Sequence, residues 1–206
     1  MIGLLGRKVG MTQLYSNTGK VIPVTVVKVG PCYIVQKKEE PLNGYFALQL
    51  GFEAKPKANK PYAGHFKKVN LEPMKVLTEF RFKSPADIEK FAVGQEIKVD
   101  IFNENDTISV RGITRGRGFQ GGMRRWGWHG GPATHGSTSH RRMGSVGSGS
   151  SPGHPWRGRH QPGHYGMETV TIKNLKVAKV EPEKNLLYIK GAIPGSSYTE
   201  VEIRKQ

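Results

Sequence analysis

The residues of this chain with the clearest chemistry are arginines set between aromatic rings. Arg124-Arg125-Trp126-Gly127-Trp128-His129 and Trp156-Arg157-Gly158-Arg159-His160 put planar cations beside planar rings. A guanidinium holds a phosphate through paired N–H donors, while indole, imidazole and guanidinium planes stack on unpaired bases. Arg111, Arg115, Arg117, Arg141, Arg142, His135, His140 and His164 carry the same groups through the surrounding stretch. RNA, with splayed bases and irregular pockets, suits this set. Duplex DNA suits it less, because no helix-turn-helix, zinc-finger or basic-zipper pattern is present.

Other chemistries can be weighed on the same residues. Gly116-Arg117-Gly118-Phe119-Gln120-Gly121 follows a predicted strand and matches the glycine pattern of dinucleotide-binding turns, and 119–126 has the makings of a helix. That fingerprint needs an acid about 20 positions on for the ribose, and here the next acid is Glu168. A tight turn that brings backbone amides to phosphates between Arg115 and Arg117 fits better. His129, His135, His140, His154, His160 and His164 are spaced 6, 5, 14, 6 and 4 apart, with no Cys or carboxylate among them. This does not match the short ligand spacings of metal sites. Ser137, Ser139, Ser145, Ser148, Ser150 and Ser151 bring hydroxyls but no nearby carboxylate for a general base or a triad. No catalytic residue, metal or cofactor is expected.

The distribution of charge supports a polyanionic partner. The 206 residues hold 32 basic and 16 acidic side chains, a net +16. Residues 107–167 contain no Asp or Glu, and 99–172 contain no Lys. The zone 111–166 holds nine of twelve Arg, six of seven His, all three Trp and sixteen of 27 Gly, for +9 over 56 residues. A solvated charged face would normally carry Glu and Lys too. So few apolar residues and so many glycines cannot bury enough surface to offset chain entropy, so the zone is expected to fold against its partner. The longest apolar stretch, 21–27, is far short of the about 20 residues that span a bilayer, and the apolar start, 2–6, is too short for a signal-peptide core. Lone Cys32 fits a reducing compartment and reads as an inert, small apolar residue.

The remainder supplies the scaffold. Val21–Val29 is β-branched and bounded by Gly19 and Gly30-Pro31, so it reads as a strand. Residues 33–36, 46–52, 74–82, 96–102 and 107–113 follow as short strands; in 96–102, Ile97, Val99 and Ile101 alternate with Lys98 and Asp100. After the basic zone, 170–180, 186–190 and 201–203 resume the pattern, with a polar turn at 182–185. Ser84 as N-cap and Pro85 at the first helical position lead into a helix over 86–91, and 61–68 reads as another. Many short strands with turn signals imply a barrel or a sandwich.

The order of motifs resembles that of one family along essentially the whole chain. Gly3-Leu4-Leu5-Gly6-Arg7-Lys8-Val9-Gly10-Met11-Thr12 opens it, and Gly64-His65-Phe66 fits its middle. Gly112-Ile113-Thr114-Arg115-Gly116-Arg117-Gly118-Phe119-Gln120-Gly121, running on to Arg125-Trp126, is similar to its signature. Thr134-His135-Gly136, Gly144-Ser145-Val146-Gly147, Pro152-Gly153, Gly163-His164-Tyr165-Gly166 and Asn185-Leu186-Leu187-Tyr188-Ile189-Lys190-Gly191-Ala192-Ile193-Pro194-Gly195 complete the series. These resemble the third large-subunit ribosomal protein family, L-three, of bacterial type.

The resemblance implies a mainly β fold: a translation-factor-type β-barrel with short helices and a long, irregular basic extension inserted in it. Residues 1–110 would form the first part of the barrel, with a small peripheral segment at about 55–92. The extension would be 111–166, and 167–206 would complete the barrel. It further implies direct binding to large-subunit ribosomal RNA near its 3′ end, a part in nucleating subunit assembly, and a cytoplasmic, ribosomal location. The extension's tip, Gly144, Ser145, Val146, Gly147, Ser148, Gly149, Ser150, Ser151, Pro152 and Gly153, would approach the peptidyl-transferase centre. Neighbouring large-subunit proteins are implied partners; DNA, membrane and a second copy of the chain are not. Three departures stand out. Ser150 occupies the position of a glutamine that is methylated in many bacterial relatives, so that modification is not expected. Residues 156–162 replace a Lys-rich segment with Arg, His and Trp, which favours stacking over point-charge contacts. Ser109 stands where the family signature has Asp or Asn.

Overall fold

The computed structural model describes residues 3–16 and 18–206; Ile2 of the short apolar start lies outside them. The chain divides into two units, Thr114–Glu168 and the remainder.

The larger unit is built on strands β1 (Gly3–Tyr15), β2 (Val21–Val29), β3 (Cys32–Lys38), β4 (Ala47–Ala54), β5 (Met74–Arg81), β6 (Glu96–Ile97) and β7 (Thr107–Ile113). In the smaller unit lie β8 (Gly118–Gln120) and β9 (Gly163–Tyr165). The larger unit then resumes with β10 (Thr169–Glu181), β11 (Leu186–Lys190) and β12 (Glu200–Lys205). Six of these close a barrel in the order β1-β12-β7-β10-β11-β2, with β2 returning to β1. Closure leaves no unpaired edge in that sheet. A four-stranded sheet, β5-β4-β3-β6, shares one continuous core with the barrel. Leu4, Val27, Ile108, Val110, Leu187, Ile189 and Ile203 fill that core together with Ile34, Leu48, Leu50 and Phe80 from the sheet. Burying each such side chain stabilises the fold by about 1.5–3 kcal/mol. Helix α1 (Glu40–Asn43) joins β3 to β4. Helix α2 (Lys60–Lys67) lies over the sheet, burying Phe66 against Val35 and Met74. Among the described residues no helix is long and apolar enough to cross a membrane.

β1 is absent from the strand pattern legible in the sequence, because Gly3, Gly6 and Gly10 interrupt it. Gly6 is there for close approach: a Cβ would stand 2.8 Å from the Lys28 carbonyl of β2. Lys8 on the same strand is buried, and its ammonium donates to the carbonyls of Ile193 (3.0 Å) and Gly195 (2.9 Å). These acceptors meet the need of a buried charge for partners, while burial lowers its pKa. The contact ties β1 to the loop that leads into β12.

The alternation in 96–102 predicts a strand throughout, but only Glu96–Ile97 pairs with β3. Cys32, opposite Ile97, is the first residue of β3, so β6 has no partner strand beyond that pair. The chain turns instead into a 3-10 helix, Val99–Ile101, that still buries Val99 and leads to buried Phe102. The predicted helix over 86–91 is a single turn, α3 (Ala86–Glu89). Its first carbonyl acceptor is that of Pro85, and no side-chain hydrogen bond caps it, so Ser84 does not act as the cap. Cys32 is fully buried, its Sγ–H directed at the Leu5 carbonyl; burial pushes the thiol up to about 12, which makes it inert.

On the sheet, Lys38 and Tyr45 both hydrogen-bond the Glu79 carboxylate, at 2.5 and 2.7 Å. The Lys38 bond is the main cause that holds Glu79 below the usual carboxylate range. A carboxyl depressed in the folded state contributes stability above its unfolded pKa, about 4.3, and loses it as pH falls through the folded value. Glu79→Gln is therefore expected to lower the melting temperature at pH 7, with the gap to wild type closing below about pH 4. Thermal melts followed by circular dichroism across pH 3–7 check this.

Candidate nucleic-acid interface

The second unit is an elaborated hairpin. The chain leaves the barrel at Ile113 and re-enters it at Thr169, two residues that face each other in the β7–β10 ladder. Within the unit, Thr114 N–H donates to the Glu168 carbonyl (2.9 Å), Met167 N–H to that of Thr114 (3.2 Å), and Arg117 N–H to that of Tyr165 (2.9 Å). β8 and β9 continue the pairing, Phe119 opposite His164. The glycine motif is thus part of a two-stranded ribbon. Gly121 precedes α4 (Gly122–Trp126), which Gly127 ends in the left-handed region. The helix anticipated over 119–126 is confined to its second half because 118–120 pair as a strand.

Aromatic and cationic side chains organise the rest of the unit. Arg125 Nη1 and Trp126 Nε1 both donate to the Gln161 carbonyl, each at 2.8 Å. The Trp126 and His160 rings stack with centroids 4.0 Å apart and planes 3° from parallel. Arg125 lies over Trp126 at 4.9 Å and Arg117 over Tyr165 at 5.3 Å. Trp128 packs on Gly122, where a Cβ would overlap the indole, so only glycine fits. Arg159 Nη2 donates to the Ser145 carbonyl at 2.6 Å, holding the tip loop from the returning leg. The tip, 144–153, is exposed apart from half-buried Val146 and Pro152, and Ser145 Oγ donates to the Gly147 carbonyl.

Two absences define the electrostatics. Among the described residues every ion pair lies on the larger unit; none falls within Thr114–Glu168, whose eight arginines face one acid, Glu168. The only buried residues between Thr114 and Glu168 are Gly122 and Gly166, so no side chain there is buried. Contacts such as the Trp126 clasp are worth about 0.5–1.5 kcal/mol each. Ordering a residue costs about 1–2 kcal/mol of backbone entropy, which 55 residues without a core do not offset.

The anticipated binding residues are distributed unevenly. Arg111 stands in β7 on the barrel, 3.5 Å from the Glu202 carboxylate, and so already has a counter-charge. Arg125, Trp126, His160 and Arg159 are brought together by the clasp and the tip contact. Arg115, Arg124, His129, His135, His140, Arg141, Arg142, Trp156, Arg157 and His164 are exposed. Among the described residues no group of three or more His, Cys, Asp or Glu is close enough to hold a metal. Phe119, 77% exposed, and Tyr165 under Arg117 were not singled out in the sequence. The Arg117–Tyr165 pair spans 48 positions, beyond any local spacing signal, and Phe119 is exposed because its strand has no sheet to cover it.

Fold and site together define a β-barrel protein with an uncompensated cationic insertion. Residues 63–186 match the family described as Ribosomal protein L3. Relatives named large ribosomal subunit protein uL3 are 51% identical in Thermosipho africanus (98% of this chain, 96% of the relative) and 51% in Thermotoga maritima (98% and 95%). The relative of the same name in Carboxydothermus hydrogenoformans is 53% identical (94% and 91%). The chain belongs to the ribosomal protein L3 family.

Replacing 127–163 with a short glycine linker removes no buried hydrophobic side chain. The variant is expected to keep the barrel's cooperative unfolding, with stability changed by less than about 1 kcal/mol. Urea titration monitored by circular dichroism measures it.

Proposed function

We propose that this protein is a structural component of the large ribosomal subunit that binds large-subunit ribosomal RNA directly through the insertion, with no covalent chemistry of its own. The observation that carries the reading is the set of eight arginines without an ion-pair partner on a unit with no buried side chain, in a chain of this family. Guanidiniums without carboxylate partners have full capacity for phosphate, and exposed rings such as Trp156, 68% accessible, have faces for bases.

The family resemblance supports a finer reading. The barrel anchors near the 3′ end of the RNA and helps nucleate assembly. The insertion carries its tip, 144–153, toward the peptidyl-transferase centre. Small residues at the tip suit a narrow passage between RNA segments. Neighbouring large-subunit proteins are its other partners, and its location follows that of the ribosome.

Neutralising roughly eight phosphates gives a log–log slope of affinity against salt of about −6 to −7. Titration of the full chain against a large-subunit RNA transcript at several salt concentrations is expected to show it. Sedimentation of cell extracts is expected to recover the chain with large subunits after a high-salt wash. Recovery only in the unbound fraction, with crosslinks to messenger RNA or DNA, contradicts the proposal.

A further inference from the structure

An open cavity of about 600 Å³ lies between the outgoing and returning legs of the insertion. Trp128, Arg142, Met143, Arg159 and His160 line it together with glycines and serines, and no carboxylate does. Both rings are held from behind. Trp128 rests on Gly122, and His160 is stacked on Trp126, so each has one face covered by the chain. Arg159 is anchored by one Nη donor to the Ser145 carbonyl, which leaves its other N–H groups for a ligand. Among the described residues neither arginine has an ion-pair partner.

Two aromatic planes, each with one face covered by the chain, and two guanidiniums around one volume match a single chemical class. A nucleotide offers a flat base to the rings and a phosphate to the paired donors. The volume is in the range of about 300–1,000 Å³ typical of sites for one small ligand, and too small for a duplex. A cationic ligand is disfavoured by Arg142 and Arg159, and a wholly apolar one would leave both guanidiniums without an acceptor.

We propose that this cavity takes one unstacked nucleotide of the large-subunit RNA, with its base against His160 and Trp128 and its phosphate on Arg142 and Arg159. The proposal rests on the RNA-binding reading above and specifies where that binding reads a base. A free mononucleotide has the same chemistry. The RNA is the source favoured here, because the exposed arginines outside the cavity engage the flanking phosphates of a chain and gain nothing from a monomer.

The test uses the full chain on a large-subunit RNA transcript, read by 2′-hydroxyl acylation and by ultraviolet crosslinking with mass spectrometry. Wild type is expected to crosslink through Trp128 or His160 to one nucleotide and to protect it. Arg142→Gln with Arg159→Gln is expected to expose that nucleotide while the rest of the footprint persists. The charge-matched pair Arg115→Gln with Arg124→Gln weakens binding throughout without exposing it. His160→Ala is expected to cost about tenfold in affinity, as loss of one stacking platform does, and His160→Phe to restore protection. A footprint unchanged by the cavity variants, or crosslinks scattered over many nucleotides, overturns the cavity proposal and leaves RNA binding intact. No wild-type footprint overturns both. Titration with AMP, GMP, CMP and UMP is expected to show no saturation up to millimolar concentrations; tight mononucleotide binding at the cavity overturns the RNA as its source.

Discussion

The structure depends on one imbalance: eight guanidiniums on a 55-residue insertion that holds a single carboxylate and buries no side chain. Two forces that usually order a segment, apolar burial and internal charge pairing, are missing from it. What remains is a two-stranded ribbon, a five-residue helix and a few planar contacts. These are enough to bias the path of the chain and too few to hold it alone. The same lack of internal partners leaves the donors and ring faces free for the RNA proposed above as its ligand. On that proposal, affinity and foldability of the insertion are one property, supplied by the phosphates and bases it would meet.

This arrangement requires a scaffold that is stable without the insertion. The barrel meets that need by closing on itself, and by sharing its core with the β5-β4-β3-β6 sheet. The chain leaves and re-enters at adjacent antiparallel strands, so the insertion interrupts no ladder: Ile113 and Thr169 still face each other. β12 lies between β1 and β7, so the end of the chain locks the strand from which the insertion departs. The larger unit, unlike the smaller, offsets part of its charge locally, through pairs such as Lys38–Glu79 and Arg111–Glu202.

How much of this was legible in the sequence depended on the range of the interaction. β2, β7 and β11 appear at their predicted bounds, because β-branched runs bounded by turn residues report a local preference. β1 was hidden because Gly3 and Gly6 serve close contacts with strands that only the fold brings near. The strand read over 96–102 stops at Ile97 because its partner strand begins at Cys32, 65 positions away in sequence. In the insertion, composition marked the uncompensated arginines, since the absence of acids and lysines needs no partner to be seen. It did not identify which groups meet. Trp126 and His160 are 34 positions apart, Arg159 and Ser145 are 14 apart, and neither pair has a periodicity to reveal it. Arg111, chemically identical to its neighbours in sequence, is set apart only by the β12 strand that places Glu202 beside it.

Amide hydrogen exchange, measured on the full chain alone and bound to large-subunit RNA, tests the central claim most directly. The account predicts that the barrel amides are protected in both states. Those of Thr114–Glu168 should exchange rapidly in the free protein and become strongly protected on the RNA. Equal, strong protection of Thr114–Glu168 in the absence of RNA would contradict it, because the insertion would then be ordered by its own contacts.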